Sequence, residues 1–192
     1  MNDLNKFRII NQIEKKLIKT SLLKISKEII TNFGSLEYSL YILLNKQSYN
    51  NKYPSIYLIS KNLQQTLNFV SNNKICSAGL YFGLIKAGIF YLSIEGAEFL
   101  FKKDIFSDFK RLYVDGNGEK SILYGNNILK SMVTILTSNL QVNDFLLIFN
   151  KLNEIVAIAK SVVSYQDINN LKSKEIIAIT LKDKGFYLRK KQ

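Results

Sequence analysis

Hydrophobic residues recur every three to five positions along residues 5–31, with lysines between them. This spacing sets one apolar stripe along a helix, so it predicts one amphipathic helix or two in line. The next segments alternate apolar and polar positions or form short apolar runs, which predicts strands at 36–42 and 55–59. Ser60 has the position of an N-cap residue and predicts a further helix over about 61–72.

Two strand-like runs, 75–85 and 89–94, lie on either side of Gly88. Because a glycine between two short apolar runs is typical of a tight turn, we interpret the pair as a β-hairpin. A short helix is then predicted over 94–101.

A change of pattern near 107–110 predicts a domain boundary. Beyond it, short apolar runs are interrupted at close intervals by Gly, Asn and Asp, which is typical of a small barrel-like β domain. We therefore expect an α+β chain with an N-terminal α/β domain at 1–108 and a C-terminal domain at 109–192. The second domain is predicted to contain strands at 110–114, 120–124, 145–150, 154–164, 176–181 and 186–189 and one helix at 127–134.

The charge of the chain favours a polyanionic partner. Its 192 residues include 27 Lys+Arg against 15 Asp+Glu, a formal charge of +12, and the sequence pI is about 9.6. Each predicted domain carries half of that excess, +6. A hydrophobic fraction of 47% also provides enough apolar material for packed cores, so disorder of the whole chain is excluded.

Two residue counts exclude several kinds of chemistry. The chain has one cysteine, Cys76, and no histidine, so it has no internal disulfide and no zinc site built from Cys and His. Nucleophilic systems that need an imidazole base are excluded as well. These counts leave few routes to catalysis, and we expect no cofactor and no metal site.

The Asp-Gly-Asn-Gly-Glu run at 115–119 begins like a calcium loop, with oxygen-bearing side chains around a glycine. No carboxylate near position 126 closes the loop, and Asp-Gly and Asn-Gly are common tight-turn dipeptides. We therefore interpret the run as a hairpin turn.

The first residues lack a basic stretch followed by an apolar run, and the longest apolar runs are well short of the roughly 20 residues that cross a bilayer. We expect an intracellular protein that does not enter the membrane.

At 122–131 a predicted strand runs into Gly125-Asn126, and a predicted helix follows with Lys130 on its surface. Free backbone N–H groups beside a cation would suit a phosphate. An ordinary strand-to-helix connection explains the pattern equally well, and the residues alone leave both interpretations open.

The same segment contains Leu-Tyr-Gly-Asn at 123–126 and then Lys130-Ser131, with Ala-Lys-Ser at 159–161 further on. These motifs resemble the PUA domain (named for pseudouridine synthase and archaeosine transglycosylase). The resemblance is to the form found in the Nip-seven family of large-subunit ribosome biogenesis factors.

The N-terminal half resembles the same family through Cys-Ser-Ala-Gly-Leu-Tyr-Phe-Gly at 76–83. There are also departures: Leu84 stands where the family usually has Lys, and Ser93 where it usually has His. Glu154 and Val156 replace glycines that tend to precede Ala-Lys-Ser.

The resemblance implies an N-terminal α/β domain with an antiparallel sheet and flanking helices, followed by a PUA pseudo-barrel that binds RNA. It implies a non-enzymatic factor for large-subunit biogenesis and pre-rRNA processing. Its partners would be single-stranded regions of pre-rRNA and other assembly factors or pre-large-subunit particles. It would act in the cytoplasm of an archaeon or in the nucleus or nucleolus of a eukaryote.

We predict RNA contacts at basic and aromatic residues of the C-terminal half, because single strands bind to basic grooves lined by aromatic faces. Lys160, Lys172 and Lys174 are assigned to an edge strand and to the loop at 166–174. The other three predicted contact residues are Lys120, Tyr124 and Lys130. Tyr165 could also stack on a base. For each tyrosine, a core position is an equal alternative.

Two other functions remain open. One is an RNA-targeting module or subunit of an RNA-modifying enzyme, of the pseudouridine synthase or methyltransferase type. The other is a module that acts on mature ribosomes or tRNA.

Overall fold

The computed structural model describes residues 5–26, 28–29, 37–45, 53–70, 75–105 and 109–189. The chain divides into two compact units, Met1–Phe106 and Ser107–Gln192. The predicted α+β class is confirmed, because helices and an antiparallel sheet form the first unit and a barrel-like sheet forms the second.

The first unit is built on a five-stranded antiparallel sheet in which neighbours along the chain are neighbours in the sheet. Its strands are β1 (Asn5–Ile9), β2 (Tyr38–Asn45), β3 (Ser55–Ser60), β4 (Leu80–Lys86) and β5 (Ile89–Leu92). The predicted hairpin around Gly88 is confirmed by the pairing of β4 with β5. The strands predicted at 36–42 and 55–59 correspond to β2 and β3.

Side-chain caps begin three helices in the described ranges of this unit: α1 (Gln12–Leu23), α2 (Lys61–Leu67) and α3 (Ile94–Lys102). Ser60 is the N-cap of α2, as predicted, and its side chain accepts a hydrogen bond from the N–H of Leu63. Ser93 begins α3, where its hydroxyl accepts from the Gly96 N–H at 2.9 Å and donates to the Tyr81 carbonyl at 2.8 Å. Ser93, which stands where the family usually has His, therefore caps a helix in this protein.

The predicted helix at 5–31 is wrong over its first residues. Asn5–Ile9 is strand β1, which pairs with β2. Phe7 is buried there and stacks on Tyr41, with 5.2 Å between ring centroids. Pairing with β2 therefore makes these five residues a strand, and the helix begins only at Gln12. Residue 27 and residues 30–31 lie outside the described ranges.

The second unit is a six-stranded sheet with the order β7-β11-β10-β9-β6-β8. It consists of β6 (Lys110–Val114), α4 (Gly116–Leu123), β7 (Ile128–Leu129), β8 (Val133–Leu136), β9 (Phe145–Phe149), β10 (Ile155–Ser161), β11 (Ile176–Asp183) and the short α5 (Phe186–Arg189). Strand β6 runs parallel to β9, and the other pairs are antiparallel. Helix α4 contacts β6, β7, β10 and β11, so the curved sheet closes around one buried core.

Four predictions for this unit are wrong. Residues 120–124 are not a strand, because Asp115 accepts a hydrogen bond from the Gly118 N–H at 2.7 Å and caps helix α4. The Asp-Gly-Asn-Gly-Glu run is therefore a helix start rather than a hairpin turn. Residues 127–134 form strand β7, a 3₁₀ turn and the beginning of β8 rather than a helix. Residues 186–189 form a helix rather than a strand.

Candidate nucleic-acid interface

The turn at Tyr124–Asn126 joins the end of α4 to β7, which is the reverse of the predicted strand-to-helix connection. Its backbone donors are used internally: Gly125 N–H bonds the Ile122 carbonyl at 2.8 Å. Further on, the N–H groups of Lys130 and Ser131 bond carbonyls of Glu175 and Ser173 at 3.0 and 2.9 Å. The hypothesis of a phosphate site on free N–H groups is therefore wrong for this segment.

Arg189 holds this turn in place from the C-terminal side. Its guanidinium makes two hydrogen bonds of 2.9 Å to the nearly buried Asp183 carboxylate and donates to the Leu123 carbonyl. Hydrogen bonding to Asp183 raises the pKa of the Arg189 guanidinium above its ordinary value. The same guanidinium lies against Gly125, whose φ of +91° few other residues adopt. The turn and the C-terminal helix are thus one locked substructure.

A groove of about 630 Å³ opens beside this turn. It brings Lys120 and Tyr124 together, two of the six residues predicted to contact RNA. Tyr124 keeps 67% of its surface exposed, so its ring is available to a ligand and is not part of the core. The groove is also lined by residues that the sequence analysis did not select: Gly116, Glu119, Leu123, Glu154, Val156, Lys184, Gly185 and Arg189.

One wall of the groove carries two carboxylates. The side-chain amide of the nearly buried Asn150 donates to Glu119 at 3.0 Å and to Glu154 at 2.9 Å. Its carbonyl oxygen accepts from the N–H groups of Leu152 and Glu154. The carboxylates disfavour a phosphate at this wall, whereas the cations Lys120 and Lys184 line the same groove. The arrangement suits a base on the Tyr124 ring with its phosphates beside the lysines.

Lys130 anchors a loop. It is half-buried, and its ammonium donates to the carbonyls of Asn169 at 3.2 Å and Leu171 at 2.6 Å. Lys172 and Lys174 lie in the same loop with exposed side chains. The backbone N–H of Lys172 donates to the Glu175 carboxylate at 2.7 Å, so a negative charge lies within this loop as well. The structure therefore brings Lys130, Lys172 and Lys174 together.

Lys160 belongs to neither group. It lies on β10 between β9 and β11, so its expected position at an edge strand is wrong. Its side chain is exposed, and its strand partners are Phe145 and Ile179. Tyr165 is 43% exposed and its N–H bonds the Leu140 carbonyl, so its ring is not a core element either.

Little in the amino-acid sequence indicates the other residues of the groove. Lys184 and Gly185 follow strand β11, and a β-carbon on Gly185 would collide with the Leu123 carbonyl. Glu154 comes next to Asn150 only through the tight β9–β10 turn. Within the described ranges, no group of three or more Cys, Asp or Glu side chains is arranged to hold a metal ion. None of the described helices is long and apolar enough to cross a membrane.

Comparisons with known proteins show what the sequence and the fold are similar to. Residues 110–192 match the family described as the UPF0113 PUA domain. The "60S ribosome subunit biogenesis protein nip7" of Schizosaccharomyces pombe is 25% identical over 135 residues, which cover 70% of this chain and 73% of that protein. The "UPF0113 protein" of Archaeoglobus fulgidus is 26% identical over 171 residues, 88% of this chain and 91% of the relative.

Among solved structures, the crystal structure described as a PUA domain from Aeropyrum pernix superposes with a TM-score of 0.61 at 11% identity. The match covers 93% of this chain and 86% of that one. Fold and sequence thus define a two-unit α+β protein whose C-terminal unit is a PUA domain. The similarity to a nip7 protein and to a UPF0113 protein agrees with the family resemblance of the motifs at 76–83 and 123–131.

Proposed function

We propose that the protein is a non-enzymatic RNA-binding factor for biogenesis of the large ribosomal subunit. The names of its relatives support this role, because the fission yeast protein is described as a 60S ribosome subunit biogenesis protein. A PUA domain over residues 110–192 supports RNA as the ligand. The absence of histidine leaves no imidazole base for catalysis.

The observation that carries the proposal is the exposed Tyr124 ring in a groove that also contains Lys120 and Lys184. An unpaired base can stack on the tyrosine while neighbouring phosphates meet the lysines, and such binding tolerates different sequences. Arg189 and Gly125 hold the ring's turn, so the aromatic face is fixed before RNA arrives. Because the turn is already ordered, RNA binding loses less conformational entropy there.

Lys172, Lys174 and Lys160 extend the contact to further phosphates of the strand. The ammonium group of Lys130 has a different role, since two loop carbonyls already accept its hydrogen bonds. Its charge still adds to the positive electrostatic potential around the loop. Of the six predicted residues, five thus contact RNA and the sixth positions Lys172 and Lys174.

The partners would be single-stranded regions of pre-rRNA and other assembly factors on pre-large-subunit particles. In a eukaryotic cell the protein would then act in the nucleus or nucleolus, and in an archaeon in the cytoplasm. Neutralising a few phosphates without turnover would let it hold a precursor strand while other factors act.

Sequencing of RNA cross-linked to the protein in its own cells tests this function. We expect precursor rRNA of the large subunit, with cross-links at or near Tyr124. Recovery of mainly tRNA or mature ribosomal RNA would contradict the proposal and favour a translation-linked module. RNA modified by the purified protein together with a methyl donor, or isomerised uridines without one, would favour the enzymatic alternative.

A further inference from the structure

Three lysines of helix α1 form a positively charged strip on the first unit that the proposed function does not use. Lys15, Lys16 and Lys19 are all exposed, whereas Ile18 and Leu22 of the same helix are buried. At 3.6 residues per turn, the three lysines fall within a sector of about 100°. We call Lys15, Lys16 and Lys19 the α1 lysine strip.

The strip has no counter-charge on its own helix. Glu14 is the one acidic residue of α1, and it is held at the N-terminus. Its carboxylate makes hydrogen bonds of 2.9 and 2.7 Å with the Arg8 guanidinium and one of 2.7 Å with the Asn11 N–H. No hydrogen bond or ion pair joins the three ammonium groups to another residue in the described part of the chain.

This placement is unfavourable for the isolated helix. Lys15 and Lys19 are four residues apart and Lys16 and Lys19 three apart, and like charges at these spacings repel. A polyanion along the strip would relieve this repulsion.

We propose that the α1 lysine strip is a second RNA-backbone contact, so that each unit of the chain carries its own phosphate-binding surface. This inference rests on the proposed function and names how the first unit takes part in it. Lysines on flexible stems suit phosphates as point charges without base recognition. Two linked contacts on one strand strengthen each other, because the second binds at a high effective concentration.

The test is binding of the full chain to a long single-stranded RNA across a salt series. The variant K15Q/K16Q/K19Q is compared with wild type, and glutamine retains similar helix propensity. If all three lysines neutralise phosphates, the slope of log K against log salt becomes shallower by about 2, since each contact contributes roughly 0.7 on single strands. The variant is also expected to melt at a slightly higher temperature, because the repulsion is gone.

Two control variants distinguish an RNA contact at the α1 lysine strip from a general effect of lower net charge or of altered folding. K86Q/K102Q/K103Q removes three exposed charges elsewhere in the first unit and is expected to keep the wild-type slope. K15R/K16R/K19R retains the charges and is expected to bind like wild type. The PUA variant K160Q/K172Q/K174Q should flatten the slope independently of the α1 variant, with additive effects in the combined protein.

Several outcomes overturn the inference. If K15Q/K16Q/K19Q binds RNA with the wild-type slope while the PUA variant does not, the strip contacts no RNA and only this inference fails. If the strip is needed for binding to anionic vesicles or to a poly-glutamate peptide but not to RNA, its partner is of another class. If wild type binds no RNA at any salt concentration, the proposed function itself fails.

Discussion

The Arg189 guanidinium and the Asp183 carboxylate form a bidentate pair with two hydrogen bonds of 2.9 Å, and Asp183 is only 5% exposed. The same guanidinium donates to the Leu123 carbonyl at the end of α4. One C-terminal side chain therefore fixes the turn that presents Tyr124. A residue beyond the last barrel strand thus determines a feature of the groove.

Changing Arg189 to Lys should loosen this turn. Lysine keeps the charge but lacks the planar fork that reaches both carboxylate oxygens and the carbonyl together. We expect faster amide hydrogen exchange at Gly125 and Asn126, a lower melting temperature and weaker RNA binding. Hydrogen-exchange mass spectrometry measures the first effect directly. Lys151→Arg, in the exposed β9–β10 turn, is the control and should leave exchange at 124–127 as in wild type. Equal exchange in R189K and wild type would contradict the locking role.

Lys130 and Lys172 should separate stability from RNA binding. Lys130→Met removes two hydrogen bonds to loop carbonyls and should lower the free energy of unfolding by about 1–2 kcal/mol, because hydrogen bonds from charged groups exceed the neutral average. Lys172→Met removes an exposed ammonium and should change stability by less than about 0.5 kcal/mol. Urea unfolding of both variants measures the difference. Equal effects of the two changes would contradict the anchor role of Lys130.

The first unit should lose stability in acid through Glu14. Hydrogen bonds from Arg8 lower the pKa of the Glu14 carboxyl, and burial opposes that shift only in part. Since the pKa is lower in the folded state than in the unfolded state, this stabilisation is present above the unfolded pKa, near 4.3, and is lost as pH falls through the folded value.

The variant Glu14→Gln tests that dependence. It should be less stable than wild type at pH 7, and the two stabilities should converge as the pH falls through the lowered pKa of Glu14. Thermal melts of both proteins between pH 3 and 7 measure the convergence. A difference in melting temperature between E14Q and wild type that stays constant from pH 3 to 7 would show that protonation of Glu14 does not change the stability. Asn11→Ala, which removes the cap but not the titrating group, should cost about 1 kcal/mol.

The sequence predicts much of the fold where patterns are local and unambiguous. The alternation along β2, the hairpin of β4 and β5 and the Ser60 cap are all set by neighbouring residues. Asn5–Ile9 is different, because its apolar spacing continues into α1 and only pairing with β2 makes it a strand. Likewise, Asp115-Gly116 suits a turn or a helix cap, and burial of Ile122 against the barrel core selects the helix.

The groove was harder to predict than the fold. Lys120 precedes the recognisable Tyr-Gly-Asn motif and Tyr124 belongs to it, and the end of one helix keeps the two residues together. Lys184, Glu119 and Glu154 come from separate elements, and only barrel closure brings them to one place. The hydrogen bonds of Lys130 to Asn169 and Leu171 join segments about 40 residues apart, so no local pattern reveals that its ammonium is already engaged.

The most direct test of RNA binding by the PUA groove is the affinity of K120Q/Y124A for a single-stranded segment of large-subunit pre-rRNA across a salt series. Its matched control is K86Q/Y91A, which removes one exposed lysine and one exposed tyrosine from the first unit. We expect K120Q/Y124A to bind at least about fivefold more weakly, since stacking on one aromatic contributes roughly 1–3 kcal/mol. Its salt slope should be shallower by about 0.7. Wild-type affinity and slope in K120Q/Y124A would contradict the account.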